Sequence, residues 1–197
     1  MSRLILASTS RYRRELLGRL GIPFDVASPA IDEARHPGEA PLALVQRLAA
    51  AKAEAVAARH PEAWVIGSDQ LAFRDSEILG KPGTAERCVA QLTAASGRQV
   101  TFLTAVCLLC HRERSRHTTV DSTVVQFRVN EPERIRRYVE REQPLDCAGG
   151  FKCEGLGIAL FERIDSTDPT ALIGLPLIWL AAALTAAGLD PLGVRSG

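Results

Sequence analysis

The stretch Trp64-Val65-Ile66-Gly67-Ser68-Asp69-Gln70 constrains this chain more than any other. Its three leading apolar residues favour extended backbone and predict a short buried strand. Gly67 and Ser68 then allow the backbone to turn or to be approached closely. A carboxylate, Asp69, closes the run. In α/β sheets ligands gather just beyond the carboxyl ends of the strands, and Asp69 stands at such a place. On this stretch alone, an aspartate that merely caps a turn is an equal alternative. The next ten residues tip the balance. Leu71 to Arg74 and Glu77 to Gly80 predict a small hairpin around Asp75-Ser76 that returns the chain at Gly80-Lys81-Pro82. A carboxylate and a lysine offered at one end of a hairpin suit a metal–phosphate site.

At 197 residues the chain suits one domain, with room for two lobes, and can bury a substantial core. Hydrophobic residues make up 46% and charged residues 24%, an ordinary globular balance rather than a disordered one. A formal charge of +1 gives no basic coat for a nucleic-acid polymer or a membrane surface, so any anion site must be local. The five cysteines, an odd number, point to reduced thiols and a cytoplasmic location. Cys107-x-x-Cys110 lies inside an apolar strand-like run, and Cys147 and Cys153 lack metal-ligand spacing, so structural thiols are the better reading. Ala171 to Leu189 carries no charge and is long enough, at roughly 18 residues, to raise the question of a membrane span. Gly174 and Pro176 interrupt it and basic flanks are missing. It reads as a loop followed by a buried helix with Pro176 in its first turn.

The remaining elements fall in order. Leu4 to Ala7 predicts a buried strand, Ser8-Thr9-Ser10 a cap, and Arg11 to Leu20 a helix stopped by Gly21. Arginines at 11, 13 and 14 run against the positive end of the helix dipole, which calls for a compensating anion. Arg13 is placed toward it, Arg11 and Arg14 in solvent. Phe24 to Ala27 predicts an edge strand leading to a loop with the adjacent acids Asp32 and Glu33. In the helix from Pro41 to Arg59, Lys52 falls inside the apolar stripe of Val45, Leu48, Ala49 and Val56. It either snorkels out or meets a buried anion. Thr84 caps a helix to Ala95; Gln99 to Cys110 and His117 to Val129 form a long hairpin; Asn130 caps a further helix with Glu133 as reciprocal partner. A glycine-rich loop from Pro144 to Gly157 precedes a last strand, Ile158 to Ile164.

Taken together, Leu6-Ala7-Ser8-Thr9-Ser10 with Arg13, Asp32-Glu33, Arg47-Leu48-Ala49-x-x-Lys52, Gly67-Ser68-Asp69, Gly80-Lys81-Pro82, Ala148-Gly149 and Gly174-Leu175-Pro176 resemble the Maf-like nucleotide pyrophosphatases. The match covers nearly the whole chain in the right order. Gly67-Ser68-Asp69-Gln70 and Cys147-Ala148-Gly149-x-Phe151-Lys152-x-Glu154-Gly155 are similar to the subgroup acting on 7-methyl-GTP. The pyrimidine-nucleotide subgroup instead carries Asp-Thr after the strand, arginine at the position of Tyr12 and glutamine at that of Glu154. One departure is Tyr12, where the 7-methyl-GTP subgroup often has tryptophan; both are flat aromatics.

The resemblance implies an elongated, mixed α/β, ITPase-like fold with helices flanking the sheet and a deep central cleft between two lobes. It also implies a divalent metal cation (Mg, Mn or Co), a homodimer, and hydrolysis of a nucleoside triphosphate to a monophosphate and diphosphate. Attack of water on the α-phosphorus needs an activated water and cations to absorb phosphate charge. On that basis Asp69 is the base or metal anchor, Glu33 the second acid, and Lys81 a further catalytic residue. Ser8, Arg13, Lys52 and Lys152 hold the triphosphate, while Tyr12, Gln70 and Glu154 select the base. Mg²⁺ prefers oxygen ligands shared with substrate phosphates, in keeping with few protein acids and no histidine cluster. Three alternatives stay open: a Maf-like pyrophosphatase for other nucleotides, a non-catalytic nucleotide-binding regulator of septum formation, and a redox or zinc protein built on the cysteines.

Overall fold

In the computed structural model, which describes residues 3–75 and 77–193, Leu4–Ala7 forms strand β1 and is buried at every position. The chain then runs through α1 (Arg11–Gly18), β2 (Asp25–Ala27), α2 (Pro41–Ala57), β3 (Trp64–Arg74), β4 (Glu77–Leu79), α3 (Ala85–Ala95), β5 (Gln99–Cys110), β6 (Ser115–Phe127), α4 (Pro132–Glu142), β7 (Phe161–Asp165) and α5 (Leu177–Ala186). The strands make one mixed sheet in the order β2-β1-β3-β5-β6-β7, with β4 paired to β3. β1 is parallel to both β2 and β3, as helical crossovers require, whereas β3–β4 and β6–β7 are antiparallel. Among the described residues no helix is long and apolar enough to cross a membrane. The uncharged stretch after Thr170 forms a short 3₁₀ turn and the ten-residue α5.

The chain divides into two compact units. One holds the residues up to Asp69, Thr104–Asp121 and the chain from Asp168 onward; the other holds Gln70–Leu103 and Ser122–Thr167. In the first unit, alternation along the strands sends successive side chains to opposite faces. Leu4, Leu6, Trp64, Ile66, Val106 and Leu108 pack with Leu16 and Leu17 of α1 and Leu180 and Leu184 of α5. Ile5, Ala7, Val65, Cys107 and Leu109 pack with Ala53, Val56 and Ala57 of α2. In the second unit the core is aromatic. Phe151 meets Phe102, Phe127 and Phe161 edge-on at centroid distances of 5.3, 5.6 and 4.7 Å, the geometry the ring quadrupoles favour.

Most predicted elements are present with shifted ends. Thr84 does cap α3, its side chain accepting from Arg87 N, and α5 starts directly after Pro176. Four expectations are corrected. β3 does not stop at Asp69 but continues to Arg74, because Leu71 and Ala72 bury in turn and the strand goes on to pair with β4; of the hairpin tip, Ser76 lies outside the described residues. α1 ends at Gly18, short of Leu20. The cap of α4 is Glu131, ahead of Pro132, and it makes no side-chain cap bond. Asn130 instead donates through Nδ2 to the carbonyls of Arg128 and Leu160. Finally, Leu156–Leu160 is a 3₁₀ turn, and β7 begins only at Phe161.

Candidate active site

The site in the first unit begins with a missing methyl group. A Cβ on Gly67 would lie 2.2 Å from the Ala49 carbonyl oxygen and 2.5 Å from the Ala53 nitrogen. Glycine alone lets the backbone of α2 rest on β3 at this depth. Asp69 lies two residues further on the same strand face, and Lys52 lies between Ala49 and Ala53 on the helix, so the contact that requires Gly67 brings Lys52 to Asp69. Lys52 Nζ donates to Asp69 Oδ1 at 2.7 Å, with Lys52 5% and Asp69 8% exposed. Of the two sequence alternatives for Lys52, the ammonium meets a buried anion.

The same ammonium lies 3.0 Å from Glu33 Oε1, whose side chain is half exposed. Glu33 sits on the loop between β2 and α2, and Arg47 of α2 ties that loop down. The Arg47 guanidinium donates Nε and Nη2 to the two oxygens of Glu39 at 2.7 and 2.8 Å and Nη2 to the Ala34 carbonyl at 3.0 Å. This fork-on-fork pairing with Arg47 draws the Glu39 carboxyl down to about 2. The clamp therefore bonds the carbonyl of the residue next to Glu33.

On the opposite face, Ser68 and Arg13 converge on one carbonyl. Ser68 Oγ and Arg13 Nε both donate to Gly174 O, each at 3.1 Å. Burial pushes the Arg13 guanidinium down, while the charges of Asp69 and Glu33 push it back up. Ser10 caps α1 by accepting from Arg13 N, and Ser8 Oγ, buried, accepts from Ser10 N at 3.1 Å. Tyr12, on the first turn of α1, is half-buried; the Arg11 guanidinium stands 4.7 Å from its ring centre and donates to its hydroxyl. The first unit thus gathers Lys52, Arg13, Asp69 and Glu33, two cations balanced by two carboxylates.

The second unit carries the remaining predicted residues. Lys81 is exposed two positions beyond β4, and Gln70 follows Asp69 on β3, half-buried. In the glycine-rich loop, Gly149 has φ 76°, and a Cβ there would meet the Phe102 ring at 2.9 Å. Phe151 anchors the loop in the aromatic core. Lys152 donates its backbone N–H to the Tyr138 hydroxyl at 3.0 Å and its ammonium to the Glu142 carbonyl at 2.8 Å. Glu154 is exposed, with Cys153 Sγ 3.5 Å from its Oε2. Burial, then the charge of Glu154, raises the Cys153 thiol to about 12, and burial raises Cys88 and Cys107 to about 11. Such thiols are poor nucleophiles at neutral pH.

The donor set in the first unit fits a hard divalent cation. Asp69 and Glu33 offer carboxylate oxygens that converge on one charge, here the Lys52 ammonium. Among the described residues no group of three or more His, Cys, Asp or Glu forms a complete cage. A Mg²⁺-like ion that keeps waters and borrows phosphate oxygens needs only one or two such carboxylates. Arg47 and Gly174-Leu175-Pro176 stand in the motifs of the resemblance, but the bonds of Arg47 and of the 168–178 turn were not legible in the sequence. The signal for the turn was an aspartate two residues before a threonine, the pattern of a side chain bonding its own backbone two positions on.

The first unit of this mixed α/β chain holds a buried lysine–carboxylate pair, Lys52 with Asp69. The family model described as Maf-like protein matches residues 3–187, and the chain belongs to that family. It is similar to the 7-methyl-GTP pyrophosphatase of Xanthomonas campestris pv. campestris, with 59% identity over 190 residues, 96% of this chain and 98% of the relative. The protein of that description from Pseudomonas aeruginosa is 54% identical over 96% of this chain and 99% of its own length. The one from Chromohalobacter salexigens is 51% identical over 98% and 100%. Among solved structures, that of the Staphylococcus aureus Ham1 protein aligns with a TM-score of 0.48 and 14% identity over 66% of this chain and 74% of that one, a likeness too weak to argue from.

Proposed function

We propose that this chain hydrolyses the α–β phosphate bond of 7-methyl-GTP, giving 7-methyl-GMP and diphosphate and so clearing a modified nucleotide. The observation that carries this reading is the Glu33–Lys52–Asp69 arrangement with Arg13 nearby, in a chain 51 to 59% identical over nearly full length to relatives bearing that activity in their descriptions. A triphosphate brings several negative charges to Lys52, which is buried and paired with two carboxylates, and to Arg13, which is held through Nε on the Gly174 carbonyl. Lys52 then exchanges its carboxylate partners for phosphate oxygens and Arg13 offers its terminal guanidinium nitrogens, and both absorb the charge that builds up on the leaving diphosphate. Asp69, relieved of the ammonium, takes a proton from the attacking water. Asp69 and Glu33 oxygens would hold a divalent cation, which would supply further neutralisation of the phosphates. Ser8 and Lys152 add triphosphate contacts, and Lys81 assists at the reacting phosphate.

Base choice rests with Tyr12, Gln70 and Glu154. Methylation at N7 makes the guanine ring cationic, so an electron-rich aromatic such as Tyr12 gains a cation–π attraction of about 0.5 to 2 kcal/mol. A carboxylate such as Glu154 accepts both the N1–H and N2 amino donors of that ring at once. A homodimer and a reducing, cytoplasmic compartment complete the proposal, the latter supported by the odd number of cysteines, five, in the sequence. The test is diphosphate release from 7-methyl-GTP, GTP, UTP, CTP and TTP. Highest kcat/KM for 7-methyl-GTP is expected. A pyrimidine preference overturns the substrate, and release from none of them leaves a nucleotide-binding regulator.

A further inference from the structure

Arg13 owes its aim to a turn far away in sequence. The Gly174 carbonyl that receives Arg13 Nε also receives Ser68 Oγ. Its two lone pairs are both committed, so the direction of this carbonyl sets where the guanidinium points. Gly174 has φ 132°, which side-chain-bearing residues rarely adopt, and its Cα side faces Arg13, whose Cγ and Nε a Cβ would touch at an ordinary 3.4 Å. Such a peptide is held by what surrounds it rather than by its own preference.

What surrounds it is Asp168 and Thr170. Asp168, only 4% exposed, accepts from Thr170 N at 2.9 Å through Oδ1 and from Ile178 N at 2.6 Å through Oδ2. One buried carboxylate therefore ties the turn to the first turn of α5, satisfying an N–H that the helix itself leaves unpaired. The Thr170 hydroxyl lies 2.7 Å from both Asp168 Oδ1 and the Leu175 carbonyl, and it accepts from Leu177 N at 2.8 Å. Its single proton serves one of those two oxygens at a time. Gly174 N closes the turn onto the carbonyls of Thr170 and Ala171, and Thr104 Oγ1 of β5 donates to Ala171 O at 3.0 Å. The Gly174 peptide is thus held by bonds within residues 168–178 and by Ser68, Arg13 and Thr104.

We propose that Asp168 and Thr170 are positioning residues for Arg13. They fix the turn so that the Gly174 carbonyl occupies Nε and leaves the terminal guanidinium nitrogens for phosphate. The inference rests on the reading of Arg13 as a phosphate ligand, and it extends the site to a turn that touches no substrate. In this role Thr170 matters through its hydroxyl, and only while Arg13 is present.

The experiment is a double-mutant cycle. Affinity for inorganic tripolyphosphate is measured by calorimetry, alongside kcat and KM for 7-methyl-GTP, in the full chain. Thr170→Val is expected to weaken tripolyphosphate binding about tenfold and to raise KM by a similar factor with a smaller change in kcat, the size of one misdirected charge-assisted bond. Thr170→Ser restores the hydroxyl and is expected to bind within about twofold of wild type. In an Arg13→Ala background, Thr170→Val is expected to change affinity by less than about twofold. Equal losses in both backgrounds, or unchanged affinity in a folded Thr170→Val protein, overturn the proposal. Should Thr170→Val not fold, Asp168→Asn is put through the same cycle with the same two outcomes, since it keeps the shape and removes one acceptor. If the wild-type chain releases no diphosphate from any nucleotide, the functional reading falls, while tripolyphosphate affinity still decides the positioning role.

Discussion

Asp69 and Lys52 are each almost wholly buried and bonded to one another, with Glu33 as a second partner of the ammonium, which makes the choice of substitution matter. Deleting one partner of a buried ion pair leaves a bare charge and costs about 3–5 kcal/mol, enough to confuse unfolding with lost chemistry. Asp69→Asn keeps the shape and an acceptor for the ammonium while removing the base. The expected outcome is a folded protein, by circular dichroism, whose turnover falls by roughly two to four orders of magnitude. Near-normal turnover would remove Asp69 from the chemistry. Glu154 calls for a different readout, because it is exposed and its proposed task is selection. Glu154→Gln is expected to lower kcat/KM for 7-methyl-GTP at least tenfold more than for UTP, the size of one charge-assisted bond. Equal loss on both substrates would take Glu154 out of the base pocket. At this scale the sequence was informative where a pattern was local: a lysine inside an apolar stripe and a carboxylate after a buried run. It was silent on Arg13 with Gly174, 161 positions apart, because periodicity carries no information about which distant carbonyl a side chain will meet.

Among the elements, the loop before α2 shows how one helix side chain shapes a neighbour. Arg47 bonds Glu39 with both arms of its fork and reaches the carbonyl next to Glu33. Because Arg47 holds the Glu39 carboxyl at about 2, against an ordinary 4.5, Glu39 stays ionised in the folded chain after it has protonated in the unfolded one. Its contribution to stability is complete above about 4.5 and is lost as pH falls toward 2. Arg47→Met removes the cause, so its melting temperature is expected to depend less steeply on pH between those values than that of the wild type. A parallel offset with an unchanged acid slope would show that the clamp does not act through Glu39. Element boundaries were misread for identifiable reasons. Asn130 has the chemistry of a cap, but Pro132 fixes the first helical φ and leaves Glu131 as the boundary residue, so the asparagine is freed to bond the Arg128 and Leu160 carbonyls. β3 outran its predicted end because Ala72, Phe73 and Arg74 pair with Leu79, Ile78 and Glu77 of β4.

For the whole molecule, the balance of charge in the first unit leads to a metal prediction. Two carboxylates held by one ammonium suit a cation that arrives together with the phosphates. Chelation with EDTA is therefore expected to abolish diphosphate release, and Mg²⁺ or Mn²⁺ to restore it; full activity in chelator would remove Asp69 and Glu33 from metal binding. The mixed α/β class was legible from the alternation of apolar runs and capped helices. Two lobes were expected, but the boundaries between the two units were not legible, since β3, β5 and β6 each change unit part-way along. Gly67 carries a last consequence for anyone seeking to stabilise this protein. Replacing glycine by alanine normally helps, because it restricts the unfolded chain and adds about 0.4–1 kcal/mol. At Gly67 the same restriction is bought at the expense of a methyl group inside the backbone of α2, 2.2 Å from a carbonyl oxygen. The helix must lift, and Lys52 lifts with it, so a change aimed only at the entropy of the denatured state would be felt first as lost turnover.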